Sequence, residues 1–221
     1  MEKDIKNLVH YTEDRFDFWV NICNHFSFKE ILEIGVYKGD FSAKLLRGCE
    51  SIRKYYMIDP WQNLENWNKP CNVSNEDFEK IHNELLLQTN FAKEKRVILR
   101  GRTAEVIHRI KDNSVDFIYI DGDHTLHGIT IDLFNAWQKT KQGGIIGGDD
   151  FSETIWQHSK NFEPTLIFPY AVYFAEAVGA QIYALPFRQY LIKKSDIGFR
   201  FTDLTGKYND QSLRSQLWDS K

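Results

Sequence analysis

Residues 31–46 read ILEIGVYKGDFSAKLL, and the change of pattern inside this stretch decides the fold. The first four positions are apolar apart from Glu33 and read as a short buried strand ending at Gly35. From Asp40 to Arg47 the apolar residues recur at helical spacing until Gly48 stops them. A buried strand that turns through glycine into an amphipathic helix opens a βαβ unit. Gly35 lets the backbone turn where a side chain would crowd a ligand, and Gly39 lets the helix come close. The amides around Val36, Tyr37 and Gly39, helped by the helix N-terminus, can meet a carboxylate. The glycines are spaced G-x-x-x-G, without the third glycine of a dinucleotide fingerprint and without the GK[ST] ending of a triphosphate cradle. Strand–helix turns also require glycine for geometry alone. Glu33 is more informative, because a carboxylate inside an apolar strand must receive hydrogen bonds.

The same alternation continues in both directions. Upstream, residues 4–26 carry Ile5, Leu8, Val9, Phe16, Trp19, Val20 and Ile22 mostly at helical spacing. Downstream, strands are expected at 54–58, 96–99, 115–120 and 145–148, the last after a Gly143-Gly144 turn. Helices are expected at 76–92 (Asn75 as N-cap), Thr103–Ile110, Leu126–Lys139 and Pro169–Val178. Residues 181–185 and 189–193, joined across Pro186, read as a terminal hairpin. The expectation is an α/β chain with a mostly parallel seven-stranded sheet, helices on both faces and a C-terminal antiparallel hairpin. No repeat or Pro/Ser-rich linker interrupts it, so 1–221 reads as one domain: an N-terminal helical segment 1–28, a core 29–194 and a tail 195–221 whose structure the pattern leaves open. The polar stretch 60–75, with Trp61 and Trp67, reads as a surface insertion.

Composition narrows the function. At 221 residues with 42% hydrophobic content, the chain can build a core without disulfides or a structural metal. The 28 Lys+Arg against 31 Asp+Glu leave a charge of −3, so no nucleic-acid partner is expected. No apolar run is long enough for a membrane span, and the start MEKDIKNLVH lacks the apolar core of a secretory leader. Cys23, Cys49 and Cys71 are odd in number and scattered, as expected of reduced thiols in a cytoplasmic protein. A small-molecule partner is expected; a homo-oligomer is left open.

In a parallel sheet, ligands sit beyond the carboxyl ends of the strands. Gly35, Asp59, Arg102-Thr103, Asp121 and Asp149-Asp150 all fall there. Asp59 either accepts the hydroxyls of a ribose or caps the turn before Pro60; Thr103 and Ala104 would then line the base. The sharpest signal is the pair VDFIYIDGDH (115–124) and GGIIGGDDF (143–151), which brings Asp121, Asp123, Asp149 and Asp150 to neighbouring strand ends. Carboxylates so gathered repel unless protonated or neutralised by a cation, and an oxygen-rich set suits Mg²⁺, Mn²⁺ or Ca²⁺. Asp149 and Asp150 converge only if the chain turns there, which Gly147 and Gly148 would ease; otherwise one of them caps the next segment. Asp123 and His124 are equal candidates for a general base, whereas His127 reads as a helix-start histidine. Lys93, Lys95, Arg96, Arg100 and Arg102 read as a solvated face, and Trp61, Trp67 and Trp156 either stack on a ligand or pin their loops.

At these residues the sequence resembles the class I S-adenosylmethionine-dependent methyltransferases with a Rossmann-like fold. It is close to the group with the pattern D-G-x-H-x-x-x-G followed by G-G-x-x-x-G-H-D-Y. Here the first reads Asp121-Gly122-Asp123-His124 with Gly128; the second runs from Gly143-Gly144 to Gly148-Asp149-Asp150-Phe151. The resemblance covers roughly residues 29–194. It implies that Glu33, Gly35, Val36, Tyr37, Gly39 and Ser42 shape the methionine pocket. It further implies that Asp59 holds the ribose, that Arg102, Thr103 and Ala104 border adenine, and that Asp121 lies beside the cofactor. Asp149 stands where that group has histidine, which makes the segment similar to the metal-dependent macrocin-type sugar O-methyltransferases. By that likeness Asp121, Asp149 and Asp150 hold Mg²⁺ or Mn²⁺, and Asp123 or His124 takes the proton.

The expected activity is a metal-assisted O-methyltransferase acting on a small hydroxylated acceptor such as a sugar or glycosylated metabolite. The alternatives are a non-catalytic binding protein on the same fold, an N-methyltransferase, and a nicotinamide oxidoreductase, the last disfavoured by the missing third glycine.

Overall fold

The computed structural model describes residues 2–156, 159 and 161–208. Two helices, α1 (Glu2–His10) and α2 (Arg15–Phe26), precede the first strand; Asp14 caps α2 by accepting from the Asp17 amide and so divides the 4–26 stretch in two. Then follow β1 (Glu30–Ile34), α3 (Asp40–Gly48), β2 (Lys54–Asp59), α4 (Asn75–Gln88), β3 (Arg96–Arg100), α5 (Thr103–Val106), β4 (Val115–Ile120), α6 (Leu126–Lys139) and β5 (Thr140–Gly148). The chain continues through α7 (Ile167–Ala177), β6 (Gln181–Leu185), β7 (Gln189–Lys193) and β8 (Arg200–Asp203).

The strands form one sheet in the order β3-β2-β1-β4-β5-β7-β6-β8. The first five are parallel, and β7 is antiparallel to both β5 and β6. The expected seven strands are therefore present. An eighth, in the stretch the sequence pattern left open, pairs parallel with β6 and carries the chain back to Tyr208, whose hydroxyl donates to the Phe151 carbonyl. Residues 209–221 of the tail lie outside the described residues.

Alternation along each strand divides the core. Phe117 and Tyr119 of β4 pack with α1–α4 on one face, whereas Ile118 and Ile120 pack with α5–α7 on the other. Each such side chain contributes about 1.5–3 kcal/mol by leaving water. The helix expected over 76–92 ends at Gln88, before a tight turn at Asn90–Ala92, and the one expected over Pro169–Val178 spans Ile167–Ala177. Three further boundaries differ for local reasons. Ser74 rather than Asn75 caps α4, because its hydroxyl reaches the Asp77 amide. The helix expected over Thr103–Ile110 gives way to a single tighter turn at Ile107–Arg109. Thr140 already pairs with Val115, so β5 starts before the glycines, and Gly143-Gly144 fall in the irregularity where the register shifts.

Strand order reverses between β1 and β4, and the loops leaving these neighbours diverge there. Gly35 and Asp121 touch at this point: a Cβ on Gly35, where φ is +85°, would lie 2.0 Å from the Asp121 carbonyl oxygen. Among the described residues no helix is long and apolar enough to cross a membrane.

Candidate active site

On the β1–β2–β3 side, the acids are satisfied from within the chain. Glu33 is buried and accepts from the Ser42 and Tyr55 hydroxyls; burial pushes its carboxyl up to about 8. Asp59 is buried too, which raises its pKa. Its Oδ2 accepts from the Val36 and Tyr37 amides (2.9 Å each) and its Oδ1 from the Trp61 amide (2.8 Å). The amides expected to meet a ligand's carboxylate thus meet one from β2. Gly39 amide donates to the Val36 carbonyl, and a Cβ on Gly39 would strike Leu85 of α4, so this glycine serves helix packing. Gly39 nevertheless leaves α3 without a side-chain cap, whereas Asp14, Ser74 and Thr125 cap α2, α4 and α6. An uncapped N-terminal turn beside the Gly35 bend keeps donors for an anion.

Beyond β3, Arg102 and Ala104 are exposed and Thr103 is buried. The Arg102 amide donates to Glu105 in a capping box. Thr103 faces Asp132 of α6, a carboxyl that burial pushes up to about 7. Trp61 is fully buried, and its indole donates to the Tyr37 carbonyl. Arg100 holds the Trp61 carbonyl and Glu79, while Arg96 holds the Leu86 carbonyl. These two members of the basic cluster are therefore fastened to α4 and its neighbouring loop.

The β4–β5 side is arranged differently. One atom each of Asp121, His124 and Asp150 lie within 4.8 Å of one another. His124 Nδ1 is 2.5 Å from Asp150 Oδ2, and Nε2 is 3.5 Å from Asp121 Oδ1, buried and without a hydrogen-bond partner. Burial opposes a charge on this imidazole, but the two carboxylates outweigh it and raise its pKa to about 10. The expected turn comes at Asp150 itself, where φ is +59°, and it separates the adjacent acids. Gly147 and Gly148 lie within β5 instead, the first beneath the Trp19 ring and the second against the Ile120 carbonyl.

Asp149, expected with Asp121 and Asp150, lies outside that trio, although it shares the Arg15 guanidinium with Asp121. It meets the Arg15 guanidinium through Oδ2 and accepts from Gln189 Nε2 (2.6 Å) and the Asp150 amide (2.8 Å) through Oδ1. Asp123 Oδ1 accepts from the Trp67 indole and the Thr125 amide, 3.0 Å each, and Gly128 is glycine because Asp123 packs where its Cβ would stand. His127 is exposed at the start of α6.

The insertion 60–75 and the loop after β5 meet across this edge. Lys69 Nζ donates to the Glu163 carbonyl, Asn68 to that of Asn161, and the Glu163 amide to that of Asn68. Leu166 amide donates to the His124 carbonyl. Arg15, Lys69, Asp132 and Gln189 were not among the residues the sequence pattern singled out. Arg15 sits one turn from Trp19 on an otherwise ordinary amphipathic helix, and nothing local marks it.

Among known proteins, no curated protein matches the chain. Solved structures do. A Staphylococcus aureus protein described as a caffeoyl-CoA O-methyltransferase superposes with a TM-score of 0.62 at 18% identity, over 87% of this chain and 89% of that one. A Bacillus cereus O-methyltransferase in complex with SAH gives 0.59 at 16%, over 87% and 90%. A spermidine synthase bound to a transition-state analogue gives 0.51 at 16%, over 82% and 61%. At these identities the likeness is one of fold. The profile of a methyltransferase domain family, however, matches residues 32–151, more than half of the chain and both sides of the site. The chain belongs to this methyltransferase domain family and has the class I S-adenosylmethionine-dependent fold.

Proposed function

We propose that the protein transfers the methyl group of S-adenosylmethionine to a hydroxyl of a small acceptor, a sugar or glycosylated metabolite, beside a divalent cation. The observation that carries this reading is the approach of Asp121, His124 and Asp150 at the strand ends next to the Gly35 turn. Two like-charged carboxylates at such a distance call for positive charge, which protonated His124 supplies in the free protein and a divalent cation would replace. His124 Nε2 is buried, makes no hydrogen bond and faces Asp121 Oδ1 at 3.5 Å, where an ion shared with that carboxylate would sit. With an imidazole among the donors, Mn²⁺ suits the set better than Mg²⁺. The donor set so read includes His124 and leaves out Asp149.

The Gly35 bend and the uncapped start of α3, with Glu33 and Ser42 behind them, would hold the cofactor's methionine end. Asp59 fixes the loop through its three backbone donors and would border the ribose, while Arg102, Thr103 and Ala104 would flank the base. A bound cation supplies a lowered acceptor pKa and an orientation for the hydroxyl. Of the two candidate bases, His124 is committed to its carboxylates or to the cation. Asp123, held by Trp67 and Thr125, is the better proton acceptor. The acceptor oxygen forms its bond to the methyl carbon as the carbon–sulfur bond breaks, and the sulfonium becomes a neutral thioether. Much of the rate comes from holding these atoms in line.

The test incubates the protein with S-adenosylmethionine and panels of hydroxylated and amine metabolites, with EDTA or with added Mn²⁺ or Mg²⁺, and reads methylated product by mass spectrometry. The expected result is a methyl ether that depends on the cation. Turnover indifferent to EDTA removes the cation, and methylated amines in place of ethers remove the O-methyl assignment.

A further inference from the structure

We propose that Arg15 is a positioning residue of the cation site: it draws Asp149 out of the donor set and leaves Asp121, His124 and Asp150 to hold the ion. This inference rests on the cation site proposed above. Arg15 comes from α2, ahead of the family-matched residues 32–151. Its guanidinium meets Asp149 Oδ2, lies 3.5 Å from Asp121 Oδ2, and is held as well by the Tyr119 hydroxyl and the charge of Asp150, so it touches the excluded acid and feels both donor acids.

The arrangement is built rather than incidental. Trp19, one turn further along α2, donates from its indole to Gln189 Oε1 (2.8 Å), which also accepts from the Tyr119 hydroxyl (2.9 Å). Gln189 Nε2 donates to Asp149 Oδ1 and to the Phe187 carbonyl. The fully buried Gln189 therefore spends all four of its hydrogen-bonding positions, and its orientation is determined by its neighbours. Asp149 receives three donors, from Arg15, Gln189 and the Asp150 backbone, and both its oxygens are engaged. The positive φ at Asp150 then directs the next carboxylate to the other side, toward His124. A guanidinium beside Asp121 also competes for that carboxylate's charge, so it weakens the ion's hold and keeps it exchangeable.

The experiment titrates the full chain with Mn²⁺ and follows free Mn²⁺ by its paramagnetic resonance signal. Calorimetry with S-adenosylhomocysteine runs in parallel. Substitution around a metal's ligands changes affinity about 10–100-fold, which sets the scale. Asp150→Asn is expected to weaken Mn²⁺ binding by about thirtyfold, and Asp149→Asn by no more than about threefold. Arg15→Met is expected to tighten Mn²⁺ binding by about tenfold, a gain that the Arg15→Met/Asp149→Asn double variant loses because no freed carboxylate remains.

Should Arg15→Met fail to fold, Arg15→Lys keeps the charge and is expected to stay within about threefold of wild type; a larger change overturns the proposal. Equal losses in Asp149→Asn and Asp150→Asn overturn it as well. So does an Arg15→Met variant whose Mn²⁺ affinity is unchanged, or one that loses S-adenosylhomocysteine instead, which assigns Arg15 to the cofactor. Wild type without Mn²⁺ binding removes the cation site and this inference together, whereas normal wild-type binding with an unresponsive Arg15→Met removes the Arg15 role alone.

Discussion

The two halves of the strand-end edge handle their carboxylates in opposite ways. At β1 and β2, Glu33 and Asp59 are buried and satisfied by hydroxyls and amides of the fold, so their charge is suppressed or shared before any ligand arrives. At β4 and β5, Asp121 and Asp150 stand against one histidine, and Arg15 reaches in from outside the matched family region. An acid surrounded by neutral donors shapes a pocket. Acids that face one another create a demand for positive charge.

If that contrast is right, the largest effect belongs to the second half. Asp150→Asn is expected to lower cation-dependent turnover by about a hundredfold or more, because a cation's share of the barrier is several kcal/mol, while circular dichroism shows a folded protein. A folded variant with full activity would break the comparison outright. Next is Gly35→Ala at the seam between the halves. A methyl group 2.0 Å from the Asp121 carbonyl, on a backbone at positive φ, is expected to cost about 3 kcal/mol or more in urea unfolding and to abolish cofactor binding.

Asp59→Asn tests the first half. An amide cannot accept on both of its ends, so one of the three backbone donors is left unpaired, at an expected cost of about 2 kcal/mol in the same measurement. Near pH 5 the smallest change is Glu33→Gln. Because the folded carboxyl titrates near 8 rather than 4.5, its contribution to stability is complete below about pH 4.5 and is lost as the pH rises through 8. The glutamine variant is expected to lie within about 1 kcal/mol of wild type near pH 5, to gain on it between about pH 5 and pH 8, and to level off above that, read as urea midpoints. Parallel pH profiles for the two proteins would show that Glu33 is ionised in the fold.

The difference between the halves also explains what the sequence disclosed. Strand and helix periods are local, and β4, α6, β6 and β7 begin and end where the pattern places them. The acids were visible because acids at strand ends are conspicuous in an apolar context. Their directions were not. Whether Asp149 or His124 joins Asp121 and Asp150 depends on one positive φ at Asp150 and on an arginine more than a hundred residues away. Asp59 was legible as a strand-end acid, but its partners are amides, which every residue other than proline carries, so no residue type advertises them. The strand at Arg200–Asp203 went unread because a short, half-exposed edge strand has little apolar alternation to show.

The Trp19 ring over Gly147 has a practical consequence. A chain trimmed at its N-terminus to the start of the family-matched stretch would lose this indole together with Arg15, baring a glycine-floored slot over Phe117 and Tyr119 and stranding Asp149 without its cationic neighbour. Such a fragment would keep the signature residues yet carry a sticky, water-filled groove where the intact chain has a sealed wall. The minimal unit that can be exchanged, fused or crystallised therefore begins no later than Asp14, the residue that starts the second helix.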